Sequence, residues 1–158
     1  MSADAGAVIA AVPTNLFVGG EWRPSASGAT FTVSDPATGE TLTTIADAGA
    51  DDALAALDAA SAVQAEWAAT APRARGEILR RAFELVTERR EELALLMTLE
   101  MGKPLAEARG EVTYGAEFLR WFSEEAARIS GRYGLNPEGT GHMIVSHRPV
   151  GPSYLITP

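Results

Sequence analysis

Two histidines, one lysine, a few paired acids and two helix-phased aromatics are the side chains of this chain that could do chemistry. His142 and His147 are five residues apart in a stretch that reads as strand. Side chains alternate across a strand, so the pair is expected on opposite faces, where it cannot share a metal. Cysteine is absent from all 158 residues, which removes disulfides, thiolate metal sites and a thiol nucleophile from this chain. Glu91-Glu92 and Ser123-Glu124-Glu125 carry paired acids, but on expected solvent faces, and general acid–base work needs a cleft that shifts a pKa. Gly139-Thr140-Gly141 is too short for a phosphate-binding loop and does not lead from a strand into a helix. Lys103, between Gly102 and Pro104, reads as a linker lysine capping the preceding helix. Tyr114 and Trp121 flank an apolar stripe seven residues apart, and two readings stay open for them: packing, or the wall of a small-molecule site.

The elements that would position these residues can be read from periodicity. Residues 1–13 read as a loose tail rich in Ala and Gly. Leu16 to Trp22, Thr30 to Ser34 and Thr41 to Ile45 read as hairpin-like β structure, broken by Gly19-Gly20 and by Asp35-Pro36-Ala37-Thr38-Gly39. A helix then starts near Asp51-Asp52, acids that suit its N-terminus, with Ala56, Ala60, Val63 and Trp67 as its apolar face. Pro72 suits the first turn of a second helix, whose stripe is Ile78, Leu79, Ala82, Phe83 and Val86, with Arg89 and Arg90 at its C-terminal end. A third helix is short, from about Glu91 to Glu100. The fourth is the clearest, with Leu105, Ala108, Val112, Gly115, Leu119, Phe122, Ala126 and Ile129 on one face. Its small residues Ala108 and Gly115 would admit a partner closely. Residues 134–141 read as a loop, His142 to Arg148 as a strand, and Tyr154 to Thr157 as the start of a buried strand after a Pro-Val-Gly-Pro turn.

Bulk composition narrows the function classes. Hydrophobic residues make up 46% and charged residues 22%, which is ordinary for a globular protein with a core. The net charge of −8, with twelve arginines spread among acids, argues against a nucleic-acid partner or an anionic-membrane surface. No apolar run is long enough to span a membrane, and the N-terminus lacks a signal-peptide pattern, so a cytoplasmic location is expected.

Taken together, the motifs resemble the N-terminal part of the aldehyde dehydrogenase superfamily, and the succinate-semialdehyde dehydrogenase group in particular. The residues that carry the resemblance are Leu16 to Trp22, Asp35 to Glu40, Trp67 with Arg73 and Arg75, Leu99 to Ala108, Phe118 to Ala126, and Arg148 to Pro158. Order and spacing hold across about residues 14–158. The resemblance implies an α/β fold: a β-hairpin, four helices, an oligomerisation strand and the first strand of a Rossmann-like cofactor sheet. It divides the chain into a tail (1–13), the N-terminal part of the cofactor-binding domain (14–133), a loop with the oligomerisation strand (134–149) and the first strand of that sheet (150–158).

The same resemblance implies oxidation of an aldehyde to an acid with hydride passed to NAD or NADP. In such enzymes a cysteine attacks the aldehyde, a glutamate activates water and an asparagine holds the oxyanion. None of these three carries over, since the family's Ile-Thr-Pro is followed by the Trp-Asn that supplies the asparagine. The chain is therefore expected to be the front piece of a longer protein and inactive alone. What carries over is Ile156, Thr157 and Pro158 at the cofactor site, mainly through backbone, and Tyr114 near the mouth of the aldehyde tunnel. The strand from His142 to Arg148 implies a homodimer or homotetramer. A non-enzymatic helical interaction module is the competing reading, permitted by the long 105–129 stripe and the net charge.

Overall fold

The chain runs from a short helix through two hairpins into four helices and out through a third hairpin. The computed structural model describes residues 4–156. Helix α1 (Ala5–Ala10) precedes strands β1 (Leu16–Val18), β2 (Glu21–Arg23), β3 (Thr30–Ser34) and β4 (Thr41–Ala46). Helices α2 (Ala50–Ala69), α3 (Pro72–Glu88), α4 (Arg90–Met101) and α5 (Leu105–Glu125) follow, then β5 (Arg132–Leu135) and β6 (His142–Val145). Each strand pairs antiparallel with its sequence neighbour, giving three two-stranded sheets among the described residues.

Local chemistry sets most of the breaks. Gly19 and Gly20 have φ of 64° and 90°, which turns β1 into β2. The Asp35 carboxylate accepts the Ala37 N–H in the turn from β3 to β4. Pro72 takes the first turn of α3, and Ala71 before it is extended, as a residue preceding proline is pushed to be. Gly102 closes α4 in the left-handed region, where a Cβ would lie 3.2 Å from the Pro36 ring. That contact seats the β3–β4 turn on the end of α4.

Small residues build the helical layer. The buried apolar residues are Ala94, Ala108, Val112 and Ala116, and Val86, Leu93, Met97 and Leu105 close around the first three. Gly76 on α3 meets α5 so closely that a Cβ would fall 2.6 Å from the Ser123 carbonyl oxygen. Helix α5 buries Ala108 and Val112 of its expected stripe and half-buries Leu105 and Leu119, with differences at single positions. Ala116 is buried rather than Gly115, while Phe122 and Ile129 face outward. The physical reason is backbone proximity: where α3 and α5 come closest the seam takes the smallest side chains.

Helix α2 departs further from its expected phase. Asp52, Ala55 and Ala59 face inward, which leaves Val63 and Trp67 of the expected face exposed, along with Leu54 and Leu57. The buried Asp52 carboxylate turns the helix this way by accepting the Ala26 N–H from the loop after β2 (3.0 Å) and the Gly49 N–H at its own start (3.1 Å).

Three further segments differ from expectation. Within the expected tail, Ala5–Ala10 is helical, started by Asp4, whose side chain accepts the Gly6 N–H at 3.0 Å. Residues 132–135, expected to close a helix and open a loop, form a strand paired with β6. Residues 150–156 carry no ladder hydrogen bonds, because no neighbouring strand lies beside them among the described residues.

One cross-helix ion pair adds to the seam. The Arg109 guanidinium donates to both carboxylate oxygens of Glu91, at 2.8–3.1 Å, joining α5 to α4. Arg90 reaches from the same turn to the Thr113 hydroxyl at 3.0 Å. The Arg109 hydrogen bonds hold the Glu91 carboxyl below its ordinary range.

Two predictions follow from this layer. Gly76→Ala lowers unfolding stability by about 1–3 kcal/mol through overpacking, whereas Gly110→Ala, with open space at its Cβ, raises it by about 0.4–1 kcal/mol. Chemical denaturation of the two variants checks the opposite signs. A carboxyl depressed in the folded state stabilises above its unfolded pKa and loses that stabilisation as pH falls through the folded value. Glu91→Gln therefore lowers the melting temperature at neutral pH, and the difference from the parent chain closes in acid.

Candidate functional site

The outer face of α5 is the first candidate surface. Burial of Ala108, Val112 and Ala116 fixes the phase of this helix. Residues two positions on from Val112 and Ala116 lie roughly 200° around and must face out. They are Tyr114 and Phe118, with Trp121 beside them. Tyr114 is 67% exposed and meets Phe118 edge to face, ring centroids 5.0 Å apart. A phenol hydroxyl beside an apolar ring can orient a small polar ligand.

The second surface is the stretch from Pro152 to Ile156. Ile156 is 81% exposed, while Thr157 and Pro158 lie outside the described residues. Pro152, Ser153 and Tyr154 face Leu54, Leu57 and Ala60 of α2 across a groove of about 640 Å³. The backbone here is not engaged in a ladder among the described residues. Tyr114 has its aromatic partner on α5, and residues 152–154 face α2. The structure thus places the candidate residues on two different surfaces.

The remaining candidates find structural roles. Lys103 does not cap α4; its ammonium pairs with Glu111 of α5, and the last α4 carbonyls are served by the Gly102 N–H, which bonds Thr98. His142 stacks on Tyr133 across the β5–β6 pair, centroids 5.1 Å apart. His147 lies beyond β6, so the two histidines do not share one strand. The Asn136 side-chain oxygen accepts the Thr140 and Gly141 N–H groups at 2.8 and 3.1 Å. That closes Gly139-Thr140-Gly141 into a β5–β6 connection with no free amide nest for phosphate. Glu124 and Glu125 pair with Arg128. Among the described residues, no cluster of three His, Cys, Asp or Glu could hold a metal ion.

Two polar arrangements escaped the sequence reading. The Arg109–Glu91 fork joins residues eighteen apart on different helices, and no local pattern marks such a pair. Asp52 did carry a signal. It stands at the third position of a helix, where an acid reaches back to the N-cap amide, but it read only as an acid beside a helix dipole.

Comparison with known proteins adds to this geometry. The model of the aldehyde dehydrogenase family matches residues 22–158. Succinate-semialdehyde dehydrogenase of Paenarthrobacter nicotinovorans is 68% identical over 117 residues, covering 74% of this chain and 26% of that protein. The Escherichia coli K12 protein named succinate-semialdehyde dehydrogenase [NADP(+)] is 41% identical over 150 residues, 92% of this chain and 31% of its own. The crystal structure of succinate-semialdehyde dehydrogenase from Burkholderia pseudomallei superposes with a TM-score of 0.77 at 44% identity, over 81% of this chain and 27% of that one. The chain thus spans about a quarter to a third of the length of these relatives. The hairpins, the small-residue helical layer and the family match across residues 22–158 make this chain a member of the aldehyde dehydrogenase family, corresponding to its N-terminal part.

Proposed function

We propose that this chain is the N-terminal part of an enzyme that oxidises succinate semialdehyde to the dicarboxylic acid with NAD or NADP as hydride acceptor. The observation that carries the reading is the 68% identity to a succinate-semialdehyde dehydrogenase over 117 residues. The nicotinamide cofactor is supported by the family and by the printed name of the Escherichia coli relative. NAD and NADP remain alternatives for this chain.

The chain's own share of the work is binding and scaffold. Ile156, Thr157 and Pro158 are proposed to hold the cofactor; the unladdered, exposed backbone leading to Ile156 fits a ligand held by main-chain groups and apolar contact. When bound, the cofactor supplies the hydride acceptor. Tyr114 is proposed to line the approach of the aldehyde, with its hydroxyl able to orient a carbonyl or carboxylate. The thiol that attacks the aldehyde is not among these residues, since the chain has no cysteine. The chain alone is therefore proposed to be inactive.

Assembly into a homodimer or homotetramer is supported by the β5–β6 hairpin. Tyr133, Leu135, Met143, Ile144 and Val145 are all exposed on it, with Ile144 at 79%, and its outer strand edges are unpaired. A cytoplasmic site of action is the proposal for location. Among the described residues no helix is long and apolar enough to cross a membrane.

A chimera tests the reading. These 158 residues, joined to the remaining sequence of the Paenarthrobacter relative, are expected to fold and reduce NAD or NADP with succinate semialdehyde. The 158 residues alone are expected to produce no reduced cofactor. Tyr114→Ala in the chimera is expected to raise KM for the aldehyde more than it lowers kcat. A chimera that folds but oxidises no aldehyde would overturn the proposal.

A further inference from the structure

Among the described residues, Asp52 is the charged side chain that the fold buries, at 3% exposure. Its carboxylate accepts the Gly49 N–H at 3.1 Å and the Ala26 N–H at 3.0 and 3.2 Å. The Arg23 guanidinium stands 3.7 Å away and supplies charge, while its buried Nε has no hydrogen-bond partner. The donors therefore come from the start of α2 and from the loop after β2, with a charge from β2 nearby. A buried carboxylate deprived of such partners is far costlier than one never buried.

Beyond this lock, α2 meets the β1–β2 hairpin and α3 through residues that stay partly exposed. Along its middle, the Ala59 methyl faces the Gly19 turn with room for a Cβ between them, which would lie 3.8 Å from it. Leu54 and Leu57 border the groove facing residues 152–154, and Val63, on the Asp52 side, stays half exposed beside Phe17 and Val18. At its C-terminal end Thr70 and Ala71 are both extended, with ψ of 132° and 136°, and Pro72 prevents the helix from running on into α3. Helix α2 thus has a polar lock at one end and a two-residue joint at the other.

We infer that α2 is a hinged helix whose closed position is set by the Asp52 carboxylate. With the lock made, α2 stays against the β1–β2 hairpin. With the lock broken, it swings about Thr70–Ala71 as one body while α3, α4 and α5 remain packed on their small-residue seam. The locked end also forms one wall of the groove facing residues 152–154, so opening widens that groove. The bearing of this motion on cofactor binding rests on the proposed function; the hinge itself does not.

Segment-resolved hydrogen exchange on the 158-residue chain tests it. In the parent chain, residues 50–69 are expected to exchange in a less protected class than the facing amides of α3 and α5. Asp52→Asn is expected to speed exchange of residues 49–69 by roughly tenfold or more and leave α3 and α5 unchanged. Ser25→Ala is the control. It removes a buried hydroxyl that donates to the Ala29 carbonyl in the same loop, without touching Asp52, and is expected to leave residues 50–69 as they were. The inference is overturned if α2 shares one protection class with α3 and α5 in the parent chain. It is also overturned if Asp52→Asn leaves α2 unchanged or loosens all helices together, or if Ser25→Ala has the same effect as Asp52→Asn.

Discussion

At Gly76 the backbone of α3 comes so near α5 that no side chain fits between them; a single methyl would press to 2.6 Å on the Ser123 carbonyl. That contact, with Ala94, Ala108 and Ala116 buried on the facing helices, fixes how α3, α4 and α5 lie. Close helix approach gains many weak dispersion contacts along the backbone, and it removes the space that a large residue would need. The consequence is visible on every outer face. No large side chain is fully buried among the described residues, and Phe118, Trp121, Phe122 and Ile129 all stand outward from α5. The seam thus decides both what is rigid and which apolar groups are left for something else to cover.

The hairpins attach to this layer by polar and steric details rather than by a shared core. Gly102 in the left-handed conformation lets Pro36 rest on the end of α4, and Asp52 gathers amides from two segments into one buried carboxylate site. Each of these joints depends on one residue type: a left-handed residue without Cβ in the first case, a short side chain that accepts twice in the second. This distribution separates a stiff helical seam from elements hung on it by single contacts. Exposed binding surfaces then fall on the parts with fewest supports, as the groove between α2 and residues 152–154 illustrates.

Element order was legible because its signals are local. Pro72, Gly102 and the Gly19-Gly20 pair act on their own backbone, so a linear reading finds them. Helix phase was less legible. On α5 the apolar stripe is wide enough to be centred on either Gly115 or Ala116, and only the approach of α3 chooses between them. On α2 a buried carboxylate outweighs a row of alanines, a decision that needs the loop at Ala26 to be in place. The site was legible only as a resemblance. Spacing left Tyr114 open between packing and a binding wall and gave Ile156 no mark beyond a strand residue, and the structure leaves both exposed.

The absence of reacting groups from both surfaces follows from the same division. A nucleophile or general base is tuned by burial and by neighbours that shift its pKa, and such burial requires walls on several sides. Here the walls exist on one side only: the aromatic face of α5 and the apolar start of α2 are floors without roofs. A floor can bind and orient through area and main-chain groups, which is the role proposed for Tyr114 and Ile156. It cannot by itself exclude water from a developing charge, which is where most of the catalytic advantage of a dehydrogenase site must arise. Positioning is accordingly the share proposed for this segment. The stiffness of the Gly76 seam is what makes that positioning repeatable from one molecule to the next.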